Sequence, residues 1–187
     1  MVDRRDEQPL GYSNGWAFLG NALTSPRQAF ERAQNVSYWW PACGVTAVYV
    51  LLGYLAGNFT TAPVLVGVPL FTGLFLLVEL LVTAVARAVC GGHGAEVGPA
   101  ASKVALVTFT INIPGSALEV AIGADAVLVA VVLGISWVVS AGYLTVLFSA
   151  AFEAGLGRAF GGVLVGHLAF IVLGIGVVGC LGFLATA

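Results

Sequence analysis

Five long apolar stretches, broken only by short polar segments, occupy most of this chain: Pro41 to Phe59, Val64 to Val89, Lys103 to Ile122, Ala126 to Ala150 and Phe160 to Ala185. An α-helix rises about 1.5 Å per residue, so about 20 apolar residues carry it across ~30 Å of hydrocarbon. Each stretch is near that length, and the pattern predicts an all-α polytopic bundle of five transmembrane helices. Upstream, Tyr12, Trp16, Leu19 and Leu23 recur at the spacing of one helical face, which predicts an amphipathic helix in the lipid interface. Ser25-Pro26-Arg27-Gln28 then reads as a second helix start, with Ser25 as N-cap, Pro26 in the first helical position and Gln28 closing a capping box. Phe30 and Ala33 fall on its inner face, with Arg27, Glu31 and Arg32 left to water. This helix is expected to run to Tyr38-Trp39-Trp40, an aromatic belt at headgroup level, with Pro41 at the turn into the first span. The chain thus divides into a segment with interfacial helices, 1–40, and a five-helix transmembrane domain, 41–187.

Charge sets the expected orientation. Threaded alternately, the spans leave Arg4, Arg5, Arg27, Arg32, Arg87, Lys103 and Arg158 on one side, whereas Gly57 to Pro63 and Gly123 to Asp125 hold no Lys or Arg. By the positive-inside rule the N-terminus is cytosolic and the C-terminus outside. Residues are 59% hydrophobic and 9% charged, far from the roughly 25% charged content of a soluble domain, so a single integral membrane domain is expected. A net charge of -2 gives no basic footprint for nucleic acid. Cys43, Cys90 and Cys180 lie near different helix ends and form no disulfide pattern. No targeting peptide is expected, since Met1 to Gln8 is charged, and Asn58-Phe59-Thr60 is a chance glycosylation sequon.

Within the spans, Glu79 and His167 are the ionisable side chains placed deepest, and a charged carboxylate at a helix centre costs on the order of 3 kcal/mol. Counted from their helix ends, Glu79, Asn112, Tyr143 and His167 fall at similar depth, so four helices are expected to contribute to one polar layer. Thr72, Glu79 and Thr83 share a stripe, as do Thr108, Asn112, Gly115 and Glu119, and Pro114 frees the carbonyl of Thr110. Two readings follow. Either the groups hydrogen-bond one another and hold helix register, or Glu79 and His167 form a proton or ion path.

Gly157, Gly161, Gly162, Gly166 and Gly174 recur at four- and eight-residue steps on the fifth span, where small residues let backbones approach closely. They serve either packing within the bundle or an interface with a partner. Signals of catalysis are weak. Cys90-Gly91-Gly92-His93 is half of a metal-ligand pattern and reads better as a glycine turn, and Gly155-Leu156-Gly157 lacks the context of a phosphate loop. No enzyme, metal or cofactor is expected.

Ser25-Pro26-Arg27-Gln28-Ala29-Phe30 with Trp39-Trp40-Pro41 resembles the opening of bacterial and archaeal Yip1-domain proteins, where a Pro-Arg-x-x-Phe helix leads into the first span. Arg87-Ala88-Val89-Cys90-Gly91-Gly92 is similar to that family's Gly-Gly turn after the second span, and Pro114 matches a proline of its third. The resemblance implies a five-span fold in a prokaryotic plasma (inner) membrane, no catalytic activity, and a role in organising or supporting other membrane proteins. The expected function is that of a non-enzymatic accessory subunit of a larger membrane complex. Its partners are the lipid bilayer and other integral membrane proteins, in a hetero-complex or homo-oligomer. The competing expectation is a small proton-coupled transporter or channel using Glu79 and His167.

Overall fold

The computed structural model describes residues 14–33, 36–58, 63–123 and 125–186, with side chains described as far as 172 except at 170. These residues form seven α-helices: α1 (Gly15–Thr24), α2 (Pro26–Arg32), α3 (Trp39–Leu55), α4 (Val64–Cys90), α5 (Val97–Ile122), α6 (Ala126–Ala151) and α7 (Leu156–Thr186). Helices α4, α5 and α6 are each long and apolar enough to cross a membrane. At 17 residues, α3 spans about 25 Å, and the described side chains of α7 form a shorter apolar segment, Leu156–Ala169.

Local chemistry explains the helix ends. Asn14 caps α1 by accepting the Ala17 N–H at 2.8 Å, and Asp125 caps α6 by accepting those of Val127 and Leu128 at 3.1 Å each. Gly91 ends α4 with φ at 104°, a conformation that suits glycine, and the Gly92 N–H returns to the Arg87 carbonyl at 2.9 Å. The expected glycine turn is therefore present. It packs tightly, because Gly94 lies against the last turn of α6 and the Ala95 N–H donates to the Ala151 carbonyl at 2.8 Å.

Helix α5 is the axis of the fold, buried along the whole run from Ala100 to Phe109. It packs most extensively on α3 and also meets α4 and α6, while α7 closes the bundle against α4 and α6. Tyr49 of α3, Phe75 of α4 and Phe109 of α5 join three helices through ring centroids 5.3 to 5.8 Å apart.

The first two helices form a collar across one end of this bundle. Pro26 is at the first position of α2 as expected, but Ser25 makes no side-chain cap; its N–H instead donates to the Asn21 carbonyl, closing α1. The capping box is thus replaced by a shared junction. Helix α2 stops at Arg32, short of the expected Tyr38, and Trp39, Trp40 and Pro41 form the first turn of α3. One face of the collar packs into the bundle. Gly15, Phe18, Leu19 and Ala22 are buried, with Gly15 pressed on Pro41 and Leu106, while Trp16 and Leu23 of the expected stripe stay exposed. Tyr12 lies outside the described residues. Tyr38, expected among headgroups, is buried: its ring stacks on Phe18 at 5.1 Å and its N–H donates to Ser102 Oγ at 2.9 Å. Trp39 is half-buried, and Trp40, 89% exposed, alone of the three retains a fully open position.

Candidate functional site

The four residues expected in one polar layer occupy three separate environments. Asn112 joins α5 to α6: its Nδ2 donates to the Thr108 carbonyl at 2.8 Å and its Oδ1 accepts from Ser140 Oγ at 2.9 Å. His167 holds its own helix, with Nδ1 2.7 Å from the Val163 carbonyl. Because a carbonyl only accepts, Nδ1 carries the hydrogen in that bond. The ring opens on a small crevice between α6 and α7, lined also by Trp137, Ser140 and Leu144. Asn112 and His167 therefore both adjoin Ser140, one through a hydrogen bond and one through the crevice wall. Tyr143 points elsewhere, its hydroxyl donating to the Leu23 carbonyl at the end of α1. That bond ties the collar to α6.

Glu79 is apart from all three. It lies on the buried face of α4 with Thr72, Val82, Thr83, Ala86 and Cys90, and no hydrogen bond reaches its Oε2. No hydrogen bond or ion pair joins Glu79 to His167. Helical direction separates Glu79 from His167: on α7, Gly162 and Gly166 face α4 while Val163 and His167 face α6. Thr83 Oγ1 and Thr108 Oγ1 are buried and likewise unpartnered.

The expected glycine surface of α7 also resolves into distinct uses. A Cβ on Gly166 would meet Val82 Cγ1 at 2.9 Å, and one on Gly162 would meet the Ala86 Cα at 3.1 Å. Gly161 has ordinary room beside Val89, and Gly157 has open space. The side-chain surroundings of Gly174 lie outside the described residues. Packing within the bundle accounts for Gly162 and Gly166, one turn apart against Ala86 and Val82.

Two further charged positions are buried on α5, and Lys103 differs from the sequence expectation. Lys103, expected beside a loop at the membrane surface, is fully buried, because α5 begins earlier, at Val97; its Nζ stands 5.6 Å from the centre of the Phe30 ring. Phe30 is thereby a core residue that also meets Phe18 edge-on, at 5.5 Å. Glu119, near the far end of α5, is buried and accepts from Asn58 Nδ2 at 3.2 Å. Its place on the stripe with Asn112 was the only sequence signal for that role. At the collar end, clefts of about 750 and 590 Å³ flank the turn between α6 and α7. The first is lined by Arg27, Glu31 and Glu153, the second by Cys90, His93 and Arg158.

No protein-family model, curated protein or solved structure matches this chain.

Proposed function

We propose that this is a five-span integral membrane protein that organises or supports partner membrane proteins, as an accessory subunit of a larger complex, with its collar end in the cytosol. The reading agrees with the resemblance to Yip1-domain proteins. Arg27, Arg32, Arg87, Lys103 and Arg158 all belong to the collar, the end of α4, the first part of α5 or the start of α7, which supports a cytosolic collar.

The observation that carries the partner reading is the far half of α6. Between Ala126 and Val139 only Val129, Val132 and Ser136 are even half-buried, so this apolar helix touches its own bundle by one narrow stripe. Gly134 and Gly142 have open space beside them. A surface that meets only lipid has no use for small residues, whereas glycine admits the backbone of another helix. The competing reading, proton-coupled transport through Glu79 and His167, is weaker because His167 bonds within its own helix and opens toward α6.

The test is isolation from native membranes in mild detergent with a photo-crosslinking residue at Val138. One stoichiometric membrane partner, crosslinked through position 138 and lost in Gly134→Leu/Gly142→Leu while thermal stability is kept, is the expected result. A protein that purifies alone, or a partner retained by the double variant, refutes the reading.

A further inference from the structure

Hydroxyls in this bundle normally satisfy themselves within their own helix. Thr46 donates to the Ala42 carbonyl at 2.7 Å, Thr110 to Leu106 at 2.6 Å and Thr145 to Ala141 at 2.8 Å, each bond running one turn back. Thr72, Thr83 and Thr108 do not, although all three are buried. All belong to the hairpin that also holds the unpartnered oxygen of Glu79, with Thr72 two turns from Glu79 and Thr83 one.

Their positions are related. Thr83 is one turn from Glu79 on the same buried face of α4. Glu79 stands eleven residues before the last residue of α4, and Thr108 stands eleven after the first residue of α5, so the antiparallel hairpin brings them to one level. Thr108 also shares its face with Asn112, one turn on, which is bonded to Ser140 of α6. A carboxyl group and two hydroxyls are thus gathered at one depth of the α4–α5 pair, with Glu79 only 9% exposed.

An ionised carboxylate in such surroundings requires a counter-charge. The charged and titratable groups on the neighbouring elements are committed elsewhere. Lys103 stands over Phe30, His167 binds the Val163 carbonyl, Tyr143 binds Leu23, Glu119 accepts from Asn58 and Tyr49 lies among Phe75 and Phe109. On α4 itself Arg87 is eight residues away, about 12 Å along the axis. A hard metal cation takes six or more oxygens, and these three side chains supply four at most. A proton needs fewer. Neutral Glu carries one O–H donor and retains acceptor capacity, and each Thr hydroxyl both donates and accepts; in this structure Glu79 Oε2 and the two hydroxyls are not bonded to one another, so a proton there still has its hydrogen-bond partners to recruit.

We propose that Glu79, with Thr83 and Thr108, forms a site that binds and releases a single proton inside the apolar bundle. The site is independent of His167 and of the partner reading above. The Glu79 carboxyl holds the proton; Thr83 and Thr108 are positioning residues that donate to the carboxylate when the proton leaves.

The experiment uses the full chain in proteoliposomes and two readouts. In infrared spectra stepped through pH, a carboxylic-acid carbonyl band should be present near neutral pH, absent from Glu79→Gln, and lost in alkali. In the unmutated protein, dicyclohexylcarbodiimide, an apolar reagent for protonated carboxyls, should label Glu79 as read by peptide mass spectrometry. Labelling should fall about tenfold per pH unit above the midpoint and be indifferent to sodium and potassium. Thr83→Val should raise the infrared midpoint by about one pH unit, since the carboxylate loses a donor. A band unchanged in Glu79→Gln, or no acid band near neutral pH, overturns the site. Protection by sodium or potassium overturns it in favour of a metal cation, and an unmoved midpoint in Thr83→Val removes the positioning role.

Discussion

Gly162 of α7 lies so close to Ala86 of α4 that a Cβ built on it would be 3.1 Å from the Ala86 Cα and 3.4 Å from its carbonyl oxygen. Backbone atoms cannot swing aside. At Gly166 the nearest atoms are Val82 Cγ1, at 2.9 Å on a side chain held to one rotamer in a helix, and the Val82 carbonyl oxygen at 3.3 Å. Gly162→Ala and Gly166→Ala are therefore both expected to destabilise, by about 1–3 kcal/mol each for overpacking. Gly157→Ala, with open space beside it, should be neutral or slightly stabilising in a helix. Thermal unfolding of the three variants in one detergent gives the order, and equal effects at Gly157 and Gly162 would remove the α4–α7 contact as its cause.

A second expectation concerns Asn112 and Ser140, whose side-chain hydrogen bond joins α5 to α6. Such bonds in membrane bundles couple helices by about 0.6 kcal/mol in double-mutant cycles. Asn112→Leu and Ser140→Ala should each be mild, and their combination should fall short of the sum by about that amount. Strict additivity in detergent unfolding would show that the contact contributes nothing.

The direction of the polar residues was not legible in the sequence. Counting from helix ends placed Glu79, Asn112 and His167 at comparable depth. Which face each one presents depends on how α4, α6 and α7 rotate about α5, and apolar helices carry little information about rotation. The start of α2 was readable because Pro26 fixes its own φ, whereas the end was not, since nothing after Arg32 breaks a helix by composition. Lys103 lies inside α5 and not at its start because proline is tolerated in a first helical turn: with Gly98 and Pro99 in that turn, the helix begins six residues before the apolar run that opens at Lys103. The collar stripe was off by about one position because small residues, Gly15 and Ala22, form the contact that a search for large ones passes over.

Orientation is checked with cysteines at two exposed positions flanking α6. Ala126→Cys, at the far end, should react with an impermeant maleimide added to intact cells. Gly157→Cys, next to the collar end, should react only after permeabilisation. The reverse pattern would invert the protein in the membrane and move the collar outside.

The collar offers the sharpest stability test. Phe30 is 2% exposed, meets Phe18 edge-on at 5.5 Å and lies under the ammonium of the fully buried Lys103. Phe30→Ala removes a ring from a closed core, and such truncations cost about 3–5 kcal/mol. It also takes away the aromatic face opposite a buried cation, a contact worth up to about 2 kcal/mol when desolvated. Phe30→Leu separates the two effects, because it restores most of the volume without the ring. If the collar is part of the folded core, Phe30→Ala should lower the unfolding temperature sharply and Phe30→Leu should recover part of the loss, leaving the two ring contacts, to Phe18 and to Lys103, as the remainder. If α2 instead lies loosely on lipid, both variants should unfold with the parent protein, and differential scanning in detergent would show three coincident transitions.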